Sequence, residues 1–191
     1  MKLVKVASAI LALAAPLAIA QPSTWKSDSA HSDAEFVVKH LGISNVHGRL
    51  GKVNATITLD DTDITKSTVN AIIDVTGLDT GNSSRDNDVK GDNFFNVVKF
   101  PTATFVSTSV AKGGLGLLVT GNLTIKGVTK PVVLNVAGPS APITGMDKKP
   151  HIGFEATTTL HRTDFDIAAK MPAAVVSDDV AITIDLDAAK Q

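Results

Sequence analysis

The sequence predicts an all-β domain with one short helix. Three observations support this prediction: apolar and polar residues alternate in seven segments, β-branched residues are abundant, and glycine or proline marks the connections. Period-two alternation gives a strand one apolar and one polar face, and β-branched side chains favour a pleated surface. Many evenly spaced strands are typical of a sandwich or an up-and-down barrel, and the pattern alone does not separate the two.

The alternation is clearest in the first predicted strand, where every second residue from Val53 to Leu59 is apolar. The same pattern recurs along the rest of the chain. The predicted strands are residues 53–59, 69–75, 102–110, 115–125, 132–136, 154–161 and 180–186.

Glycine and proline locate the predicted connections. Gly113-Gly114 lies between two strands and predicts a hairpin turn. Residues 127–130 predict another tight connection, after which Pro131 opens the next strand. Residues 139–150 are rich in proline and glycine and predict an exposed loop.

The polar segment 82–93, with the sequence NSSRDNDVKGDN, interrupts the strand pattern. Its Ser and Asp residues suit helix capping, and Asp86 would lie in the first turn, where the helix dipole favours a carboxylate. We predict a short helix here, which returns the chain to the core through Phe94-Phe95.

Residues 1–20 have the features of a cleavable signal peptide. Lys2 and Lys5 form a basic start, a charge-free apolar run follows, and Ala18-Ile19-Ala20 matches the pattern that signal peptidase cleaves. The apolar run is shorter than the about 20 residues that a membrane span needs, which argues against an uncleaved anchor. The sequence therefore predicts an exported protein with one domain, residues 21–191.

The composition excludes several classes of function. Removal of Lys2 and Lys5 with the signal peptide leaves 16 basic against 19 acidic residues, a net charge of −3, whereas a nucleic-acid partner requires a basic surface. The chain has no cysteine, so thiolate catalysis, cysteine metal sites and disulfides are excluded. Aromatic residues make up only 4%, which argues against sugar or base stacking. No transmembrane segment is predicted after signal cleavage.

Four sequence blocks, in this order, resemble those of a known family. They are DSAHS and FVVKHLGIS within residues 28–44, followed by Gly48; Arg85-Asp86, Phe94-Phe95, Phe100-Pro101 and Phe105; GNLTIKGVTKPV at 121–132; and RTDF at 162–165. Together they resemble the YceI-like family of periplasmic proteins, also called polyisoprenoid-binding proteins. The resemblance covers nearly the whole mature chain.

The resemblance implies a lipocalin-like antiparallel β-barrel of about eight strands, a size that can hold one elongated ligand. It also implies a periplasmic location and a lipid ligand, namely an isoprenoid, a quinone-like or prenyl-phosphate lipid or a fatty-acyl chain, with no further cofactor. Dimers occur in the family, so a homodimer is an expected assembly.

The chain departs from the family pattern in three places. Asp88-Val89 stand where the family often has His-Leu, Asn96 replaces a usual Asp, and Asp166 stands where a Gly commonly follows the fourth block. We expect the tail-binding interior to survive these changes. The identity of the ligand's polar head group, in contrast, cannot be inferred from the family.

An interior lined by aliphatic and phenyl side chains can capture an apolar tail by burial alone, which gains about 0.8 kcal/mol per CH₂. The predicted ligand-binding residues are Phe36, Val38, Val53, Ile57, Ile73, Arg85, Phe94, Phe95, Phe105, Leu117 and Phe154. The apolar members could equally serve core packing alone, because apolar strand positions mostly do so.

Two of these predictions have competing interpretations. Phe94-Phe95 is either a hydrophobic plug that seats the helix on the barrel end or a gate over the lipid tail. Arg85 either contacts the head group or pairs within the helix or with a strand end.

No catalytic residue and no metal ligand is predicted. The chain has neither a G-x-S-x-G nor an H-E-x-x-H motif, and the adjacent residues His31-Ser32-Asp33 do not create a triad. His40 and His47 would face each other only if one ended a strand and the other began the next.

Three functions are compatible with these observations. A periplasmic lipid carrier or buffer is favoured by the family resemblance, together with the barrel pattern and the lack of catalytic motifs. An enzyme acting on a lipid or quinone would need titrating groups directed into the cavity. A stress-related or interaction protein would have a fully packed barrel, so the volume and lining of the interior distinguish the three.

Overall fold

The computed structural model describes residues 21–114 and 116–191, and the predicted signal peptide lies outside the described residues. Strands dominate the described chain. The elements are β1 Ser23–Ser27, β2 Asp33–His40, β3 Ser44–Leu59, β4 Thr68–Asp74, α1 Ser83–Lys90, β5 Thr102–Gly113, β6 Gly116–Ile125, β7 Val128–Ala137, β8 Ile143–Thr144, β9 Pro150–His161 and β10 Val176–Lys190, with short 3₁₀ turns at Ile64–Lys66, Val75–Gly77 and Arg162–Phe165.

The strands close into an antiparallel barrel. They pair in the order β10, β2, β3, β4, β5, β6, β7 and β9, and β9 pairs with β10 along its length, so the ring of eight strands is complete. The two-residue strand β8 is added to the start of β9. The structure thus selects the barrel over the sandwich and confirms the lipocalin-like architecture.

Strands β1 and β2 share one place in the ring, because both pair with β3 on one side and with β10 on the other. Two serine side chains bridge the break between them. Ser27 Oγ donates to Val53 O at 2.9 Å and accepts from Ala55 N at 2.7 Å. Ser32, which is fully buried, accepts from Asp187 N at 3.1 Å. These hydroxyls stand in for ladder bonds that the interrupted strand does not make.

The two ends of the barrel differ. The connections 41–43, 75–101, 126–127 and 162–175 all lie at one end, which we call the mouth end. The opposite end is closed by a separate apolar cluster, in which Trp25 is 4% exposed and donates its indole N–H to Ser23 Oγ. The other buried members of this cluster are Ile57, Leu59, Ile152 and Ala188.

All seven predicted strands overlap observed ones, and the hairpin at Gly113-Gly114 is confirmed by the pairing of Gly113 with Gly116. The predicted connection at 127–130 was placed too late, since the turn is Lys126-Gly127, both with positive φ, and β7 already begins at Val128. Pro131 therefore lies inside β7. It is tolerated because β7 pairs with β9 only from Asn135 onward, which leaves one edge of β7 unpaired at Pro131.

The predicted helix is confirmed as α1. Asn82 caps it by accepting from Arg85 N at 3.1 Å, and Asp86 lies in the first turn. The predicted exposed loop at 139–150 contains the short strand β8, which pairs with the start of β9. Among residues 21–114 and 116–191, there is no helix of the length and apolarity needed to cross a bilayer.

Candidate functional site

A cavity of about 850 Å³ occupies the mouth end of the barrel, and we call it the upper cavity. Its volume lies within the range of about 300–1,000 Å³ that is typical of small-molecule sites. The inner wall is mostly apolar and is formed by Phe36, Val38, Leu50, Phe95, Ile125, Leu160, Phe165, Ile167, Val180 and Ile182. The rim is polar and includes Lys39, His40, Ser44, Asn45, Arg85, Asn87, Asp88 and Asp92.

The exposed lining residues show where the cavity opens. His40, Ser44 and Asn45 lie at the turn between β2 and β3, and Asn87 and Asp88 lie on α1. The cavity therefore opens between this turn and the helix. A ligand that enters here meets polar groups first and hydrocarbon side chains further in.

Helix α1 covers part of the opening and is fixed by one buried threonine. Thr80 donates its backbone N–H and its hydroxyl to Asp86 Oδ1, at 2.7 and 2.6 Å. Arg85 donates from Nε to Thr80 Oγ1 at 2.8 Å and from Nη2 to Thr80 O at 2.7 Å. The hydrogen bond from the Thr80 hydroxyl holds the pKa of Asp86 below its ordinary value.

Phe94 and Phe95 follow the helix and both line the upper cavity. Phe95 is 8% exposed and belongs to the main core, whereas Phe94 is half-buried. Phe95 N donates to Val89 O at 3.1 Å, so the pair is tied to the end of α1. This placement fits the plug interpretation, and the exposed part of Phe94 faces the space that a ligand would occupy.

Arg162 is a buried arginine in the cavity wall, 4% exposed, whose five N–H donors are all used by backbone carbonyls. The acceptors are the carbonyl oxygens of Ile167, Ala168, Met171, Val176 and Ser177. Arg162 therefore organises the connection between β9 and β10, which forms one side of the mouth. In the sequence this residue belongs to the fourth family block but has no predicted role, because its carbonyl partners are brought together only by the fold.

A second, smaller cavity of about 110 Å³ lies deeper in the barrel, and we call it the lower cavity. The predicted ligand-binding residues divide between the two spaces. Phe36, Val38, Arg85, Phe94 and Phe95 line the upper cavity. Val53, Ile57, Ile73, Phe105, Leu117 and Phe154 line the lower cavity. Contact of any of them with a ligand stays a prediction.

The three histidines that lie close in sequence are not brought together. His40 ends β2 opposite Ser44 at the rim, whereas His47 is the fourth residue of β3 and pairs with Val37. His40 and His47 therefore do not face each other. His31 lies in the connection between β1 and β2, where its Nδ1 is 2.9 Å from Asp28 Oδ2.

An ion-pair network that the sequence did not predict lies near the closed end. His151 Nδ1 is 2.6 Å from Asp187 Oδ1, and His151 Nε2 is 3.1 Å from Asp147 Oδ1. The hydrogen bond to Asp187, supported by Asp147, raises the pKa of His151. Ligand-type atoms of Asp28, His31 and Asp187 also lie within 4.8 Å of one another. The network joins β9, β10 and two loops. Its residues come from segments that are far apart in the sequence, so their spacing does not predict that they meet.

The departures from the family pattern have local explanations. Asp166 and Asn96 both have positive φ, 54° and 48°, in the left-handed region that glycine and asparagine adopt most easily. Asp166 therefore stands at a position where glycine is the less strained residue. Asp88, by contrast, lies on the cavity rim, so this change alters the groups that a head group would meet.

The chain matches a known protein family over most of its length. The model of the YceI-like domain matches residues 25–188. A UPF0312 protein of Yersinia pestis (strain Pestoides F) is 35% identical over 172 residues, which cover 88% of this chain and 87% of that protein. A UPF0312 protein of Yersinia enterocolitica is 33% identical with the same coverage.

Solved structures share the barrel. Burkholderia cenocepacia BcnA is 28% identical with a TM-score of 0.72, over 84% of this chain and 98% of that one. The Campylobacter jejuni YCEI protein is 32% identical with a TM-score of 0.69, over 80% and 90%. A polyisoprenoid binding domain from Saccharophagus degradans, 16% identical with a TM-score of 0.63 over 90% and 100%, shows the shared fold alone. Because the family model and the relatives span almost the whole domain, the chain belongs to the YceI-like family.

Proposed function

We propose that this protein is a periplasmic binding or carrier protein for one long-chain isoprenoid or similar amphiphilic lipid. The observation that carries the proposal is the upper cavity, in which about 850 Å³ of space has an apolar inner wall and a polar rim. This division matches an amphiphile, whose tail gains free energy by leaving water while its head group stays hydrated. Family membership is consistent with such a ligand.

The rim supplies groups for a polar head. Arg85 uses Nε and Nη2 on Thr80, and within the part of the chain that the structure describes its Nη1 makes no hydrogen bond. Lys39 lies across the opening, with Nζ 2.9 Å from Asn45 Oδ1. A phosphate or carbonyl oxygen placed between them would accept from Arg85 Nη1, while Asp88 would disfavour a highly charged anion.

The competing functions fit the cavity less well. A fully packed barrel would not contain a space of this volume. An enzyme acting on a lipid would need titrating groups deep in the site, whereas the titratable groups Lys39, His40, Asp88 and Asp92 lie at the rim. Arg162, the charged side chain in the wall, has every donor occupied by a carbonyl. These features favour a binding protein.

The proposal is tested by titrating the mature protein with prenyl alcohols, a ubiquinone analogue and a long-chain fatty acid, in competition with a fluorescent fatty acid. Val38→Asp places a charge on the cavity wall, and Val37→Asp places the same charge one residue away on the outer face of β2. We expect at least about tenfold weaker binding for Val38→Asp, because the charge must be buried against the tail, and near-wild-type binding for Val37→Asp. Failure of the wild-type protein to bind any of these lipids would overturn the proposal.

A further inference from the structure

We infer that Phe105 belongs to the layer of side chains that forms the floor of the lipid site, and that its ring sets the longest tail that the barrel accepts. The inference rests on the proposed function and adds a residue that determines specificity. The observation behind it is that the interior is divided into two cavities of about 850 and 110 Å³ rather than forming one continuous tunnel.

The division between the cavities is thin on one side of the barrel and wider on the other. On β10, Ile182 lines the upper cavity, and Ile184, the next inward-facing residue, lines the lower cavity. On β6, Ile125 lines the upper cavity and Val119 lines the lower. On β10 no inward-facing residue lies between the two, whereas on β6 the buried residues Gly121 and Leu123 do, so the partition lies at their level.

Phe105 lies at this level. It pairs with Leu123 of β6 across the strands, and its ring packs directly against the backbone at Gly121. A Cβ at Gly121 would lie 2.6 Å from Phe105 Cε2 and would overlap Cζ, so the absent side chain at Gly121 is what leaves room for the ring. Phe105 is 6% exposed and lines the lower cavity but not the upper one.

Phe105 and its cross-strand partner Leu123 are the large side chains at this level, and Leu123 is buried and lines neither cavity. Ala34 and Ala103 are almost fully buried and line neither cavity. Shortening the residue at 105 would join the two spaces into one longer tunnel. The lower cavity is lined mainly by hydrocarbon side chains, among them Leu117, Val119 and Phe154, so it could accept the end of a longer tail.

The experiment compares chain-length profiles for the mature wild-type protein, Phe105→Ala and Phe105→Leu, with prenyl alcohols of increasing length as the probes. We expect each variant to shift its preferred length upward, with affinity for the longer alcohols rising about tenfold or more for each added isoprene unit that becomes buried. Phe105→Leu keeps an apolar core residue, so the comparison stands if the alanine variant does not fold.

A filling substitution provides the control. Val119→Phe reduces the lower cavity and should leave the wild-type profile unchanged, because the tail ends above Phe105. When Val119→Phe is combined with Phe105→Leu, the shift in preferred alcohol length should disappear. Wild-type protein that binds prenyl alcohols while folded Phe105→Leu keeps the wild-type profile would overturn the floor assignment and leave the proposed function intact. Wild-type protein that binds no prenyl alcohol would instead overturn the isoprenoid site on which the inference rests.

Discussion

Thr80 and Asp86 are joined by two hydrogen bonds to the same carboxylate oxygen, from the Thr80 backbone N at 2.7 Å and from its hydroxyl at 2.6 Å. Arg85 reaches back to Thr80 from the other side, so a single buried threonine fixes two consecutive residues of α1. Because α1 covers the upper cavity, this contact connects helix stability to ligand retention.

Replacing Thr80 by valine should therefore loosen the cover of the cavity. The change keeps the backbone bond to Asp86 but removes the hydroxyl that Asp86 and Arg85 share, which should cost about 1–2 kcal/mol. Urea unfolding measures the loss of stability, and release of bound lipid measured by fluorescence should become faster. The matched control is Thr76→Val, which removes a similar hydroxyl bond to Asp74 Oδ1, 2.6 Å, outside the cavity lining. Equal effects of both variants on lipid release would contradict this role.

The His151 network predicts a pH-dependent contribution to stability. The pKa of His151 is raised above its ordinary value of 6.5, chiefly by Asp187 and then by Asp147. A raised pKa in the folded state means that the contribution is fully present below pH 6.5 and is lost as the pH rises through the folded value. The free energy of unfolding, measured between pH 6 and pH 9, should fall over this window in wild type, and His151→Gln should lack that component.

His47→Gln serves as the control for this measurement, because it removes an imidazole that is exposed on the outer face of β3. The free energy of unfolding of this variant should keep the wild-type dependence on pH. If His151→Gln also keeps it, the network does not stabilise the protein through the charged imidazole.

Ser32 supplies hydrogen bonds at the break between β1 and β2. Its hydroxyl donates to Asp187 O at 3.2 Å and accepts from Asp187 N at 3.1 Å, and the side chain is fully buried. Ser32→Ala should destabilise the protein by about 1–3 kcal/mol, because the N–H of Asp187 loses its partner away from water, while the carbonyl of Asp187 keeps only its bond from Asp28 N. Thermal or urea unfolding checks this, with Ser29→Ala, an exposed serine in the same turn, as the near-neutral control. Equal stability of the two variants would show that the break does not need the hydroxyl.

Asp166 offers a stabilising change. Its φ of 54° strains a residue with a Cβ, and its side chain is exposed, so Asp166→Gly should gain up to about 1 kcal/mol. The gain is reduced by loss of the ion pair with Lys126 Nζ, 3.7 Å away. The control Asp164→Gly lies within the 3₁₀ turn and should destabilise. A lower melting temperature for Asp166→Gly would contradict the strain argument.

The sequence predicted the fold better than it predicted the site. Alternation from Val53 to Leu59 identifies the inward-facing residues of β3, and the capping pattern identifies α1. The short strand β1 escaped prediction because three of its five residues are Ser or Thr and its partners lie far along the chain. Pro131 was misplaced because only the pairing of β7 shows that this edge is free.

Alternation also could not show how deep each inward residue lies. Phe36 and Phe105 are both inward-facing phenylalanines on strands, yet one lines the upper cavity and the other the lower. Depth depends on the stagger between strands, which is a property of the closed barrel. The same limit applies to Arg162, whose carbonyl partners are gathered by the fold of the connection between β9 and β10, and to His151, whose partners lie on β10 and in the connection before β9.

The direct test of lipid binding is mass spectrometry of the mature protein, purified from the periplasm without detergent. The protein is measured first in the native and then in the denatured state. We expect a co-purifying long-chain amphiphile, one per barrel, that stays bound in the native spectrum and is released on denaturation. A native mass equal to that of the bare chain, together with no uptake of added prenyl, quinone-type or fatty-acyl lipids, would contradict this expectation.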